Sequence, residues 1–165
     1  MELPPIHWWQ RIIQRLASIE FISAAILSRH LHRWDAAVLR WSKGKKSLTA
    51  TLSGLPVVVL TTTGAKSGKS RTVPLAGYPV GDNIVLIASS LGSAHHPAWY
   101  YNLVANPRVQ LRFNGQAANF IARRTNESER ERYWQLALDY YPGYQAYAQR
   151  SGGREIPIVL LEPES

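Results

Sequence analysis

The chain predicts a small antiparallel β-barrel with flanking helices, a mainly β (α+β) fold. Three observations point to it. Six short runs rich in β-branched and apolar residues fall at 57–63, 71–79, 83–89, 108–113, 117–123 and 156–162. Turn signals separate neighbouring runs at Gly64 to Gly68, Gly81-Asp82-Asn83 and Asn114-Gly115, the last a strong two-residue hairpin signal. Beyond Ser47 only two helical inserts interrupt the runs, too few for the regular β-α alternation of a parallel sheet.

Taken in order, residues 1–47 form a helical arm and residues 48–165 the barrel domain. Ile6 to Ser42 holds neither glycine nor proline, and its apolar residues recur at helical spacing through Trp9, Ile12, Leu16, Ile19, Ile26 and Leu31. The densest stretch, Leu16 to Leu27, contains Glu20 and is well short of the roughly 20 apolar residues of a membrane span. An ordinary amphipathic helix packed on the domain accounts for the pattern. So does a peripheral helix lying in a membrane interface, because Trp8, Trp9, Trp34 and Trp41 stand beside several arginines. Gly44 closes the arm. Pro97 opens the first insert, which runs through Ala105 to Asn106-Pro107. Asn126, with Glu129 three residues on, caps the second, which runs to about Tyr140.

Composition narrows the chemistry. The 165 residues, 45% hydrophobic, suffice for one buried core, and the absence of cysteine excludes disulfides, thiolate metal sites and cysteine nucleophiles. The early Glu2, Pro4 and Pro5 argue against a secretory signal, so a cytoplasmic location, with membrane association through the arm as the alternative, is expected. Of the net charge of +8, the arm carries +5, from eight Lys/Arg against three Asp/Glu. Basic surfaces attract nucleic acid, anionic lipid or acidic small molecules. Nucleic acid is not expected as a partner, because no recognised binding motif accompanies the charge.

Residues 57–75 carry the most information: an apolar run, a basic glycine-containing loop and a second strand-like run. Gly64 and Gly68 permit a sharp turn, while Lys66, Ser67, Lys69 and Arg71 offer donors to phosphate oxygens. A hairpin with a solvated basic tip explains the same residues. The loop is not a nucleotide P-loop, since Gly64 and Gly68 enclose three residues rather than four and a proline-containing strand follows instead of a helix. Ala88 to Tyr100 reads as a strand end passing through a Gly/Ser turn into a helix N-terminus, where free N–H groups bind carbonyl oxygens or anions. His95-His96 does not predict a metal site, because adjacent loop histidines diverge and no carboxylate lies near in sequence. Tyr141, Tyr144 and Tyr147 flank Pro142-Gly143 at a spacing of three. If the segment after Pro142 is helical, they share one side, as core residues or as proton donors with a reference pKa of roughly 10.

Four ordered blocks, Leu60 to Arg71, His96 to Leu103 with Ala105-Asn106-Pro107, Tyr141 to Tyr144 and Ile156 to Val159, resemble the deazaflavin-dependent nitroreductases over roughly residues 30 to 163. The resemblance implies a split β-barrel of the FMN-binding, pyridoxamine-phosphate-oxidase-like type. It also implies hydride transfer from reduced coenzyme F-420, an 8-hydroxy-5-deazaflavin with a phosphate and an oligoglutamate tail, to a quinone, activated alkene or nitroaromatic. By the same resemblance, Lys66, Ser67 and Arg71, with Thr63, Lys69 and Thr72 around them, are the phosphate and tail contacts. Pro74, Ala88, Ser89, Ser90, His96, Pro97, Ala98, Trp99 and Asn102 cradle the ring, and Tyr141, Tyr144 and Tyr147 wall the acceptor pocket as candidate catalytic residues. The family tends to carry Lys-Gly-Gly after the Ala-Ser pair, where this chain has Ser90-Leu91-Gly92. Alternatives of the same fold are an FMN-binding relative and a non-catalytic binder of haem or a fatty acid. Related barrels pair by covering sheet edges, which makes a homodimer the weak expectation.

Overall fold

A computed structural model describes Arg11 and residues 54–113 and 115–164. Apart from Arg11, the arm predicted over 1–47 lies outside these residues. The elements run β1 (Val57–Thr63), β2 (Ser70–Val80), β3 (Asn83–Ile87), a 3-10 turn (Ser90–Gly92), α1 (Ala98–Ala105), β4 (Arg108–Phe113), β5 (Gln116–Arg124), α2 (Glu127–Tyr140), α3 (Gly143–Arg150) and β6 (Ile158–Pro163). The six strands close into a barrel in the order β1-β2-β3-β6-β5-β4, with every adjacent pair antiparallel. This is the fold class that the strand pattern predicts. Pairing of Phe113 with Gln116 leaves two residues for the β4–β5 turn, as the Asn114-Gly115 signal requires.

Two strand boundaries differ from the sequence reading by two residues, the others by at most one, and one residue explains both. The last β3–β6 pair is Ile87 with Ile158, and the next residue, Ala88, donates its N–H to Pro157 O at 2.9 Å. Pro157 has no N–H to continue the ladder, so β3 ends at Ile87 rather than 89 and β6 begins at Ile158 rather than 156. The prolines inside β2 are tolerated for a related reason. Residues 70–76 pair only with β1 and residues 77–80 only with β3, so Pro74 and Pro79 each stand beside a free edge.

Alternation of side chains divides the burial into two clusters. Val58, Leu60, Ile84, Leu86, Val109, Leu111, Val159 and Leu161 fill the barrel, and α1 closes one end of it with Trp99, Tyr100 and Leu103. On the outer face Tyr78, Val85, Ile87, Ile158 and Leu160 receive Tyr133 and Ala137 of α2 and Tyr144 of α3. The capping box predicted at Asn126 is present: Asn126 Oδ1 accepts from Glu129 N at 2.9 Å, and Glu129 Oε2 accepts from Asn126 N at 3.0 Å. Arg123 grips the same carboxylate with two bonds of 2.7 and 2.8 Å.

The Arg123 hydrogen bonds, followed by the Asn126 N–H, hold the Glu129 carboxyl at a pKa of about 2, below its ordinary value. A depressed carboxyl stabilises the fold above the unfolded-state value near 4.3 and ceases to do so as pH falls toward 2. Glu129→Gln is therefore expected to lower Tm at pH 7 and to match the wild type near pH 2. Equal Tm values at pH 7 would show that the cap carries no stability.

Candidate active site

The basic loop between β1 and β2 folds back on itself. Gly64 N donates to Lys69 O at 2.9 Å and Gly68 N to Gly64 O at 2.8 Å, with Gly68 at φ +64°. A Cβ at Gly64 would stand 2.7 Å from Ser67 Oγ and 3.2 Å from Lys69 O, so a side chain there would displace the Ser67 hydroxyl and press on the turn. Asn102 of α1 ties the loop to the helix: its Nδ2 donates to Thr62 Oγ1 and its Oδ1 accepts from Ala65 N, both at 3.0 Å. Between loop and helix lies a groove of about 850 Å³.

Lys66, Ser67, Arg71, Ala98, Trp99 and Asn102 all line this groove. Thr62, Ala65, Val73 and Tyr101 complete its wall and were not singled out in the sequence. Among the described residues, the ion pairs join Arg108, Arg123, Arg124 and Arg130 to glutamates, and none involves Lys66, Lys69 or Arg71. An apolar groove edged by cations without a carboxylate partner suits an anionic ligand with a flat apolar body. Thr63 and Lys69 are exposed at the loop and outside the groove's lining, and the Thr63 carbonyl accepts from Asn106 Nδ2 at 3.4 Å.

Thr72 and Pro74 lie on the other face of β2. The inward pairs are Thr62 with Arg71 and Leu60 with Val73, so alternation turns Thr72, Pro74, Ala76 and Tyr78 outward. At about 3.3 Å per residue this outer strip covers about 20 Å. It ends at the phenols.

Tyr78, absent from the sequence-based candidates, donates to Tyr144 Oη at 3.2 Å, and Tyr141 and Tyr147 pair through their hydroxyls at 3.1 Å. The three predicted tyrosines thus come together on α3 and its N-terminal approach at ring separations of 5.4 to 5.9 Å, Tyr144 edge to face with both others and Tyr141 tilted against Tyr147. They do not line the groove. Tyr144 is 5% exposed, and burial is the first cause that pushes its pKa up to about 12, against the bond from Tyr78. Burial likewise raises Tyr147 and Tyr78. All three stay protonated at neutral pH. Because Tyr144 accepts from Tyr78, its own proton is not committed to that bond.

The 88–96 segment links the two regions. Ala88 and Ser89 are buried, Ser90 opens the 3-10 turn, and His96 and Pro97 lead half-buried into α1. Ser90 and Leu91 both adopt positive φ, 50° and 54°. Gly92 follows at φ +80°, and a Cβ there would meet Tyr147 O at 2.9 Å, so α3 rests backbone to backbone on the turn. Leu91 is half exposed and gains little packing in return for a left-handed conformation that costs about 1–2 kcal/mol without glycine. Leu91→Gly is expected to raise Tm by about 3 °C, read by thermal unfolding. An unchanged or lower Tm would show that the leucine side chain offsets the strain.

The sequence profile of the F420H(2)-dependent quinone reductase family matches residues 31–163. The chain belongs to this family. An F420H(2)-dependent quinone reductase of Mycobacterium tuberculosis is 32% identical over 142 residues, covering 82% of this chain and 94% of the relative. The solved F420-H2 dependent reductase FDR-A is 40% identical with a TM-score of 0.60, covering 65% of this chain and 94% of that one. A structure described as a domain-swapped dimer is 35% identical with a TM-score of 0.62, covering 77% of this chain and 95% of that one. Membership makes the chain a deazaflavin-dependent oxidoreductase with F-420 as coenzyme, and the split β-barrel implied by the sequence blocks is the fold observed.

Proposed function

We propose that the chain takes a hydride from reduced F-420 and delivers it to a planar, electron-poor acceptor: a quinone foremost, with activated alkenes and nitroaromatics open to the same chemistry. The observation that carries this reading is the groove edged by Lys66 and Arg71, which have no carboxylate partner among the described residues, beside the apolar wall of Val73, Ala98 and Trp99. Lys66, Ser67 and Arg71 would hold the phosphate and acidic tail, with Thr63 and Lys69 around them at the loop, while Thr72 faces away across β2. Ala98, Trp99 and Asn102, with the adjoining Ala88-Ser89-Ser90 turn and His96-Pro97, would seat the ring, whereas Pro74, on the opposite face of β2, would not.

When bound, the coenzyme supplies the hydride, and the protein supplies orientation, exclusion of water and a proton. Tyr144 is the favoured donor, since burial keeps it protonated and its proton points to no partner within the Tyr78 bond. Tyr141 and Tyr147 would wall the acceptor site. The domain-swapped relative supports a homodimer. No helix among the described residues is long and apolar enough to cross a membrane. A role for the arm at a membrane surface falls outside the described residues.

Titration of the purified protein with F-420, FMN and haem tests the reading. We expect quenching of deazaflavin fluorescence at micromolar coenzyme and quinone-dependent oxidation of the reduced form. Preference for FMN or haem, or binding without oxidation, would overturn it.

A further inference from the structure

Arg154 occupies the loop between α3 and β6, far in sequence from the 88–96 turn, yet most of its bonds go there. Its Nη2 donates to Ser89 O at 2.8 Å, its Nε to Ser93 O at 2.9 Å and its Nη1 to His96 Nδ1 at 2.8 Å, with a longer approach to Ala88 O at 3.4 Å. One planar fork thus spans a turn that contains two consecutive non-glycine residues at positive φ. Such backbone persists only where its surroundings over-determine it. The bond to His96 also fixes a proton. A guanidinium can only donate, so Nδ1 must accept, and a neutral imidazole that accepts at Nδ1 carries its hydrogen on Nε2.

We propose that Arg154 is the positioning residue of the ring cradle: it holds the 88–96 turn in one shape and keeps His96 as the Nε2–H tautomer, a hydrogen-bond donor to an oxygen of the coenzyme ring. The donor role rests on the coenzyme site proposed above. His96 is not itself among the groove-lining residues but borders them, with its ring 5.0 Å from that of Tyr100 and 5.8 Å from that of Tyr101, which lines the groove.

The surroundings of His96 favour the neutral ring. A second proton on Nδ1 would set two donors face to face. Burial first, then Arg154 and Arg124, push its pKa below the ordinary value, while Glu155 opposes them. The other titratable or charged neighbours are His95 on the turn, Tyr100 and Tyr101 on α1, and Tyr147 and Arg150 where α3 meets Gly92.

Nitrogen-15 NMR of the histidine side chains in coenzyme-free protein, with F-420 affinity measured in parallel by fluorescence, tests the proposal. The wild type should show His96 protonated at Nε2 and titrating below about 6.5. In Arg154→Gln the titration should return toward that value, both tautomers should appear, and affinity should fall about tenfold, the loss of about one good hydrogen bond. Arg154→Lys should recover little, because an ammonium cannot span the same acceptors. Arg130→Ala is the control: Arg130 Nη1 donates to Ile156 O at 2.7 Å and pairs with Glu155 at 3.3 Å, so its loss loosens the same segment without touching the turn, and the His96 tautomer and the affinity should hold even if the histidine's titration rises slightly. If Arg154→Gln does not fold, His96→Ala and His96→Gln carry the test, and glutamine, which retains an N–H donor, should recover affinity lost in alanine. His96 protonated at Nδ1 in the wild type, or full affinity in folded Arg154→Gln or in His96→Ala, would overturn the proposal. A wild type with the expected spectrum but no F-420 binding would instead overturn the coenzyme reading and the donor role with it, leaving the clamp.

Discussion

Replacing Lys66 and Arg71 together by glutamine is expected to weaken F-420 binding by about 100-fold. A hydrogen bond to a charged group contributes about 1.5–3 kcal/mol, and the exposure of both side chains places each at the lower end. Two such losses amount to about 3 kcal/mol, or about two orders of magnitude. Neither side chain is paired with a carboxylate among the described residues, so Tm should stay within the change produced by an ordinary surface substitution of about 0.5 kcal/mol. Salt supplies a second readout. Wild-type affinity should fall as ionic strength rises, and the double variant should respond less. Fluorescence titration at two salt concentrations reads both effects, and an unchanged dissociation constant would remove the loop from the coenzyme site.

Tyr144→Phe is expected to lower kcat by about 100-fold while leaving F-420 affinity within about twofold, the lower end of what a positioned proton donor contributes. The same substitution strips Tyr78 of its acceptor, and a buried unsatisfied hydroxyl costs about 1–3 kcal/mol. Stability and turnover must therefore be separated. The double variant Tyr78→Phe with Tyr144→Phe removes the stranded hydroxyl as well, so it should regain stability without regaining turnover. Recovery of turnover together with stability would mean that Tyr144 acts through packing alone. With its pKa at about 12, Tyr144 in the wild type should remain a donor across the neutral and mildly alkaline range, and loss of rate from this group should begin only as pH approaches that value.

The parts of the fold that were legible in the sequence are those with local signatures. Period-two runs, Asn114-Gly115 and the Asn126 to Glu129 cap each state their structure within a few residues. The basic loop was legible for the same reason; alternation along β2 turns Arg71 to the groove, while the turn itself brings Lys66 and Ser67 to its edge. Three features were not legible. Arg154 meets its partners across 58 to 66 residues, so no spacing pattern announces it. Tyr78 reads in sequence as one more strand aromatic, and its bond to Tyr144 depends on how α3 packs over the barrel. The 3-10 turn escaped because Ser90 and Leu91 carry no preference for the positive φ they adopt, which tertiary contacts impose.

The contact at Gly92 sets a rule for how this enzyme can change. With Tyr147 O only 2.9 Å from where a side chain would begin, the helix that presents the phenols has no slack against the turn beneath it. Mutations that remodel the phenol cluster by shifting that helix would drag the 88–96 turn along, so new acceptors should be gained more readily by trimming side chains than by moving backbone. Lineages exploring different oxidants would then share one fixed hinge of glycine and diverge around it.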